Sequence, residues 1–310
     1  MGQKVNSNLL RLGIFNNEWK SKYIEKNTEE SSLLVFQDIE IKKFIERFFK
    51  NSGIIASDIN ISRCNKNIII LIPYFIVSDC ISHIFNDNDF ILGNYDNKNN
   101  CNPQISTKKN RNYCLSLLRK NYYEKKFYNK KEILVKNFLG KIISVLGIFF
   151  KKGYNIKIIT QNLNKSLSVR LNNRESIEFR KLIINLRSYN KSKFFKEFIN
   201  ILILLGKKKN SSNILIKFMG LKLSGMKKHN YFINFIKRAF IILINSKISH
   251  INGLKLIVKG RLNGSPRYKT KMLQIGSVPL QTLKSNIVYN EFVVFSNNGT
   301  IGLKLWLSEN

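Results

Sequence analysis

Hydrophobic and polar positions along the chain follow first a helical and then a mainly two-residue period. Between Leu33 and Lys50, Leu34, Phe36, Ile41, Phe44, Ile45 and Phe48 recur at steps of three and four. Glu40, Lys42, Lys43, Glu46, Arg47 and Lys50 stand between them, so the spacing predicts an amphipathic helix that Asn51-Ser52-Gly53 ends. Two short strands are expected next, about Asp58–Arg63 and Ile68–Ile72. The turn-prone Asn65-Lys66-Asn67 joins them into a hairpin packed on the helix. After Pro73 the pattern degrades. Residues 86–103 are rich in Asn and Asp and 108–131 in Lys and Tyr, and together they read as a loop-like insertion.

Order is expected again as a helix over Ile133–Lys151, a strand about Asn155–Thr160, a segment Leu167–Leu171, and helices Ile177–Arg187 and Phe194–Leu205. Lys207 to Ser212 reads as a solvated loop. A helix Tyr231–Asn245 turns Phe232, Phe235, Ile236 and Phe240 inward. Strands follow at Gly253–Lys259, Arg267–Leu273, Ile287–Phe295 and Ile301–Leu307, the last two joined by Ser296-Asn297-Asn298-Gly299. The last third is thus a helix laid on a mostly antiparallel sheet.

Within that third, Leu254, Leu256 and Val258 alternate with Lys255, Ile257 and Lys259, and the strand runs into a corner built on Gly260 and Gly264. Arg261, Arg267, Lys269 and Lys271 surround the corner with no acidic residue near in sequence. Phosphate is the natural counterion for such a patch.

Charge extends this picture to the whole chain. The 310 residues carry 53 Lys and Arg against 19 Asp and Glu, a net charge of +34, with 44% hydrophobic residues, enough for packed cores in two domains. From Phe198 to Asn290 there is no Asp or Glu at all. A solvated face mixes signs, so an acid-free stretch of this length points to a polyanionic partner. The amino-terminal residues to Lys22 read as a basic arm in which Trp19 is a packing anchor, with stacking on a base as the alternative.

Other chemistry is poorly supported. Cys64, Cys80, Cys101 and Cys114 are irregularly spaced without a CxxC pair, which favours reduced, structural thiols and no metal site. Met1–Gly13 lacks the apolar segment of a secretory signal. The apolar runs Ile142–Phe150 and Phe198–Leu205 fall far short of the roughly 20 residues that span a bilayer. Asp87 and Asp89 form an acidic pair inside the insertion, and His83, His229 and His250 have no helix-spaced carboxylate or Cys partner. There is no phosphate-binding glycine loop. The chain is read as neither an enzyme nor a cofactor protein.

The opening GQKVN, RLGI, Trp19-Lys20-Ser21-Lys22, VKGRLNG, VPLQTL and the closing GTIGLKLWL occur here in that order. As an ordered set they resemble small-subunit ribosomal protein three. The resemblance covers Met1 to about Ile72 and Lys227–Leu307. The middle, about Ile76–Asn213, looks like an expansion, apart from a strand near Gly153–Asn164. What it implies is an α+β protein: a KH-like amino-terminal domain of prokaryotic-type topology, interrupted by a long insertion, and a carboxyl-terminal α+β domain. The expected divisions are a basic arm over 1–30, the first KH part over 31–75, the insertion over 76–152, the rest of the KH unit with an expansion over 153–213, and the carboxyl-terminal domain over 214–310.

The resemblance implies binding to small-subunit ribosomal RNA (rRNA) in the head of the subunit, contacts with the neighbouring head proteins ten and fourteen, and a lining role on the path of incoming messenger RNA (mRNA). Carried over by position and joined to the cations above, the rRNA set is Lys4, Arg11, Lys20, Lys22, Lys259, Gly260, Arg261, Gly264, Arg267, Lys269, Thr270 and Lys271. The mRNA set is Lys227, Lys228, Lys237 and Arg238, with His229 beside it. Two departures stand out. The place of the KH nucleotide clamp reads PYFIVSDCISHIF without a glycine, which favours a scaffold role over single-strand capture. Ile233 and Asn234 stand where the family has paired arginines. Heavy use of Asn, Lys, Ile, Phe and Tyr, the insertion and the missing presequence suggest an organelle, a mitochondrion first and a plastid as the alternative. No membrane association and no homo-oligomer is expected. A free RNA-processing or intron factor and a basic membrane-surface protein remain as rival readings.

Overall fold

A computed structural model of the chain describes residues 5–14, 19–27, 29–64, 67–77, 139–150, 154–164, 173–207, 211–246 and 249–309. Lys4, the biased stretches 86–103 and 108–131, the paired Asp87 and Asp89, and the segment Leu167–Leu171 lie outside the described residues, as do Cys80, Cys101 and Cys114.

The first unit is a twisted sheet backed by helices. A one-turn helix α1 (Ser7–Leu10) and a two-residue strand β1 (Ser21–Lys22) lead into helix α2 (Glu30–Asn51). Glu30 places its charge at the positive end of α2 and accepts a hydrogen bond from the Lys26 backbone at 3.1 Å. Gly53, with φ +71°, turns the chain away after the last turn. Strands β2 (Ile54–Ala56), β3 (Asn60–Cys64), β4 (Asn67–Ile76) and β5 (Asn155–Asn162) follow. The spine is β4. On one edge β3 pairs antiparallel with its first half and β2 with its end; on the other, β5 runs parallel from Asn67↔Asn155 to Tyr74↔Asn162.

The strand expected to stop near Ile72 continues through Pro73 to Ile76. A strand residue's N–H and C=O point to the same side, and the Pro73 carbonyl accepts from the Ser57 backbone at 2.8 Å, in the gap between β2 and β3. The donor that proline lacks therefore falls where no ladder partner requires it.

Helix α3, residues 139–149, lies inside the expected insertion. Its Ile142 and Leu146, with Phe150 just beyond, enter the same core as Ile41, Ile45, Ile61, Ile68 and Ile70. Phe36 stands on the α2 stripe by periodicity yet is exposed, while Asp38 is buried. Arg63 on β3 explains the second fact. Its Nε donates to Asp38 Oδ1 at 2.9 Å, its Nη2 donates to the same oxygen, Nη1 donates to Gln37 Oε1, and the guanidinium lies 5.6 Å from the centre of the Phe150 ring. One buried cation thereby ties α2, β3 and the end of α3 together.

The second unit packs helices on an all-antiparallel sheet. Helices α4 (Asn173–Ile184), α5 (Phe195–Lys207), α6 (Ser212–Ser224) and α7 (Asn230–Asn245) precede strands β6 (Ile251–Gly260), β7 (Lys269–Gly276), β8 (Asn286–Ser296) and β9 (Gly299–Glu309). The strand order is β7-β6-β9-β8. Helix α6 was expected as loop and unassigned chain. It is buried on nearly all sides, by Ile214, Leu215, Ile216, Phe218, Met219 and Leu223, so no polar stripe marks its period. Gly220 allows the close approach of α6 to the sheet, since a Cβ there would stand 2.6 Å from the Phe292 ring. The expected inward residues of α7, Phe232, Phe235, Ile236 and Phe240, are all buried. Phe235 and Phe198 meet edge to face with centroids 5.0 Å apart. At about 1.5–3 kcal/mol for each fully buried large apolar side chain, this aromatic cluster carries the unit.

The two cores adjoin through β2 and β4. Ile55, Phe75, Val77 and Leu163 belong to the core of the helices and the second sheet, whereas Ile54, Ala56, Tyr74 and Ile76 belong to the first. Alternation along one strand thus feeds both sides. Lys217 on α6 adds a polar tie, donating to Glu46 on α2 at 2.8 Å and to the Ala56 carbonyl at 2.9 Å.

Asp38→Ala leaves the Arg63 guanidinium buried beside an apolar group. The expected loss is about 3–5 kcal/mol, read from denaturant unfolding of the full chain. A loss no greater than that for an exposed change such as Lys50→Ala would refute the central place given to this pair.

Candidate nucleic-acid interface

The end of β6 and the start of β7 form the corner. Antiparallel register sets Gly260 opposite Lys269, Lys259 opposite Thr270 and Val258 opposite Lys271, while Gly260 faces Ile301 on β9. Gly260 has φ +148°, and a Cβ there would lie 2.6 Å from the Thr300 carbonyl oxygen, so only glycine fits between the strands. Gly264 has φ +71°, and a Cβ there would only touch the Asn298 side chain at 3.8 Å, so it is the backbone angle that favours glycine. Between them Asn263 also adopts the left-handed region, φ 56° and ψ 31°, a conformation asparagine tolerates better than most residues. Three of the five residues 260–264 thus leave the usual backbone regions, and the chain reverses within one short turn.

Asn263 also locks the corner to α7. Its side-chain Oδ1 accepts from the His229 backbone at 2.6 Å and from the Asn230 backbone at 3.3 Å. Its own backbone N–H donates to His229 Nδ1 at 3.0 Å. It therefore caps α7 from 33 residues away in sequence. His229 is buried, 1% exposed, and its Nδ1 is an acceptor. It is a structural residue and not an exposed neighbour of the mRNA set. Lys271 reaches the Asn230 side chain and so stands over the same helix start.

Cations line this assembly outward. Lys259, Arg261, Arg267, Lys269 and Thr270 are exposed, as are Lys227 and Lys228 just before α7, and Lys271 is half-buried. Among the described residues no carboxylate forms an ion pair with any of these cations. The Arg261 Nε donates to the Ser265 carbonyl at 3.2 Å, folding its side chain along the corner. Lys237 and Arg238 are exposed two turns along α7, and Arg238 lies 5.6 Å from the centre of the Tyr189 ring. Ile233 is buried, 2% exposed, so a cation at that position would face the core.

The structure does not bring the arm residues to this corner. Arg11 is buried, 1% exposed, and donates to the carbonyls of Ser285 (2.9 Å), Ser7 (3.2 Å), Leu280 (3.0 Å) and Thr282 (2.9 Å). Its expected rRNA contact is corrected: the guanidinium holds the Val278-Pro279-Leu280 turn against the amino-terminal arm. Beside it Asn8 pairs with the Tyr289 backbone through two bonds of 2.7 Å, closing the outer edge of β8 as a neighbouring strand would. Lys20 pairs with Asp58 at 2.6 Å and Lys22 lies on β1, both in the first unit. Trp19 is 68% exposed and is not a packing anchor. No sequence signal separates Arg11 from the other cations. Asn263 carries one, an Asn-Gly pair at a tight corner.

Among the described residues no group of His, Cys, Asp and Glu could hold a metal ion, and no helix is long and apolar enough to cross a membrane. Residues 230–307 match the family model described as ribosomal protein S3, C-terminal domain, and span α7, the corner and all but the last two residues of the sheet. Over 309 residues, 100% of each chain, the sequence is 26% identical to small ribosomal subunit protein uS3c of Euglena longa. It is 39% identical over 62 residues to uS3c of Chara vulgaris, covering 20% of this chain and 28% of that one. To small ribosomal subunit protein uS3 of Neorickettsia sennetsu it is 32% identical over 102 residues, 33% of this chain and 46% of the relative.

With these matches the basic α+β domain falls in the class of ribosomal proteins, whose part is structural and not enzymatic. Most of these relatives carry the organelle name uS3c, which points to an organelle ribosome. Residues 230–307 belong to the ribosomal protein S3 family as its C-terminal domain, and end to end the chain is similar to uS3c.

Asn263→Ala removes the cap on α7 and puts a less tolerant residue at positive φ. A stability loss of about 1–2 kcal/mol is expected in thermal or denaturant unfolding. Faster amide exchange should be confined to the first turn of α7 and the corner; unchanged exchange there would contradict the lock.

Proposed function

We propose that the chain is a constituent of the head of the small subunit of a plastid ribosome and binds small-subunit rRNA through the corner between β6 and β7. The observation that carries this reading is one: exposed, unpaired cations stand around a backbone corner whose shape glycine and a capping asparagine fix in advance. Phosphates of folded RNA would meet Lys259, Arg261, Arg267 and Lys269 while Gly260–Gly264 lets the backbone come close. Because the corner is already rigid, little ordering entropy is lost on docking. The uS3c name of the relative aligned end to end favours the plastid over the mitochondrion.

In this reading Lys227, Lys228, Lys237 and Arg238 lie on the α7 side of the domain and face incoming mRNA, and head proteins ten and fourteen are neighbours. The first unit is a KH-like domain whose last strand is β5. It serves as a scaffold, since residues 73–76, the start of PYFIVSDCISHIF, are strand and not a nucleotide clamp.

Arg261→Glu with Lys269→Glu is expected to abolish incorporation into the small subunit while leaving the melting temperature of the free chain unchanged or higher, since it relieves self-repulsion. Binding of the full chain to small-subunit rRNA should weaken steeply with salt, and each phosphate-contacting cation removed should lower the log–log slope by about 0.7–0.9. Normal subunit levels carrying the double variant, or a salt slope equal to that of wild type, would overturn the assignment of this corner.

A further inference from the structure

The outer face of α2 obeys the rule for a surface helix over only half its length. Past Glu40 it is polar, with Lys43, Glu46, Arg47 and Lys50 in solvent. Before Glu40 it is apolar: Leu33 is 64% exposed, Phe36 59%, Ile39 45% and Val35 40%. Val35 and Ile39 also line a cleft of about 1110 Å³, whose wall continues through Leu9, Leu12, Trp19 and Tyr23. Large apolar side chains gathered in one patch on a monomer mark a surface that is covered in the assembled state.

The charge on this half-helix differs from that of the chain. No Lys or Arg occurs from Asn27 to Ile41, and the stretch holds Glu29, Glu30, Asp38 and Glu40. Asp38 is spent on Arg63 and Glu40 also pairs with Lys43 at 2.9 Å on the next turn, so Glu29 and Glu30, with Glu40 at the far end, form a carboxylate rim around Leu33, Phe36 and Ile39. Over residues 18–58 eight acids face seven cations, a net of −1 within a protein of +34. Of the lysines lining the cleft, Lys20 is paired with Asp58 at 2.6 Å and Lys42 donates to Ser21 Oγ at 2.9 Å, while Lys22 lies on β1 at its wall. Burial holds the Lys42 ammonium below its usual range, against the opposing pull of Asp38.

We propose that the first half of α2, with the adjoining cleft, docks a basic polypeptide segment of a neighbouring protein, which sets apolar side chains on Leu33, Phe36 and Ile39 and cations on the carboxylate rim. RNA fits poorly, because phosphate would meet Glu29, Glu30 and Glu40 across an apolar surface with no exposed cation on that stretch. The surface is therefore the counterpart of the basic corner: the corner takes polyanion and the helix takes polycation. The proposal rests on the ribosomal reading only for the setting in which such a segment is met.

A water-soluble carbodiimide, which joins carboxylates to amines at contact distance, tests it in particles isolated with the full chain in place. Products are mapped by mass spectrometry alongside sedimentation with small-subunit rRNA. Glu29, Glu30 or Glu40 is expected to couple to a lysine of one other protein. In particles carrying Leu33→Lys with Phe36→Lys, two exposed positions whose change spares the core, that protein should fall at least about tenfold relative to rRNA while the variant chain stays bound. Coupling only to lysines of this chain, including those of residues 78–138, coupling to a second copy, or ultraviolet crosslinks from residues 33–39 to RNA would each overturn the proposal. So would an unchanged protein complement in the double variant. Failure of the wild-type chain to travel with rRNA would instead strike the ribosomal reading, and the carbodiimide map of whatever particle holds the chain would still decide what covers the helix.

Discussion

A net charge of +34 on 310 residues is the constraint that the rest of this structure answers. Like charges of this density oppose compaction unless the fold separates them or something outside neutralises them. Where acids are available the chain uses them to join elements: Arg63 to Asp38, Lys217 to Glu46, Lys20 to Asp58, and Lys222 to Glu197 inside the second core. Where acids are absent, from Phe198 to Asn290, the core is built mainly from aromatic and aliphatic residues, and Lys259, Arg261, Arg267 and Lys269 are left outside around one corner. The unbalanced positive charge at the corner is thus a property of how the charges are distributed.

Rigidity at the corner comes from a few backbone decisions. Gly260 is forced by the Thr300 carbonyl, Asn263 bridges to the start of α7, and His229 is consumed as an acceptor. The arm performs the equivalent task at the far edge of the sheet. Arg11 gathers four carbonyls, three of them from residues 280–285 before β8, and Asn8 closes the β8 edge. A cation that the family resemblance assigns to RNA here clasps the amino-terminal arm to the segment before β8. A buried guanidinium with its donors satisfied costs little, whereas the same group facing four carbonyls without hydrogen bonds would be expensive.

The second sheet and α7 were legible because each has one wet face. Leu254, Leu256 and Val258 alternate, and Phe232, Phe235, Ile236 and Phe240 repeat at helical steps, so burial wrote its period into the sequence. The elements that were missed lack that contrast. Helix α6 is enclosed on nearly every side and opens with Ser211-Ser212-Asn213, a loop-like beginning. Strand β2 has three residues, too few for a period, and Pro73 masked the second half of β4. At the site the same division holds. The cations and glycines of the corner could be read from their types, whereas the roles of Arg11, His229 and Asn263 depend on partners 33 to 274 residues away.

Sedimentation of organelle lysate with and without ribonuclease, following this chain by mass spectrometry beside the small-subunit rRNA, tests the central claim most directly. The account predicts that the chain travels with that RNA at moderate salt and leaves those fractions after digestion. A chain that stays in light fractions or travels with membranes, whether or not the RNA is intact, would contradict it.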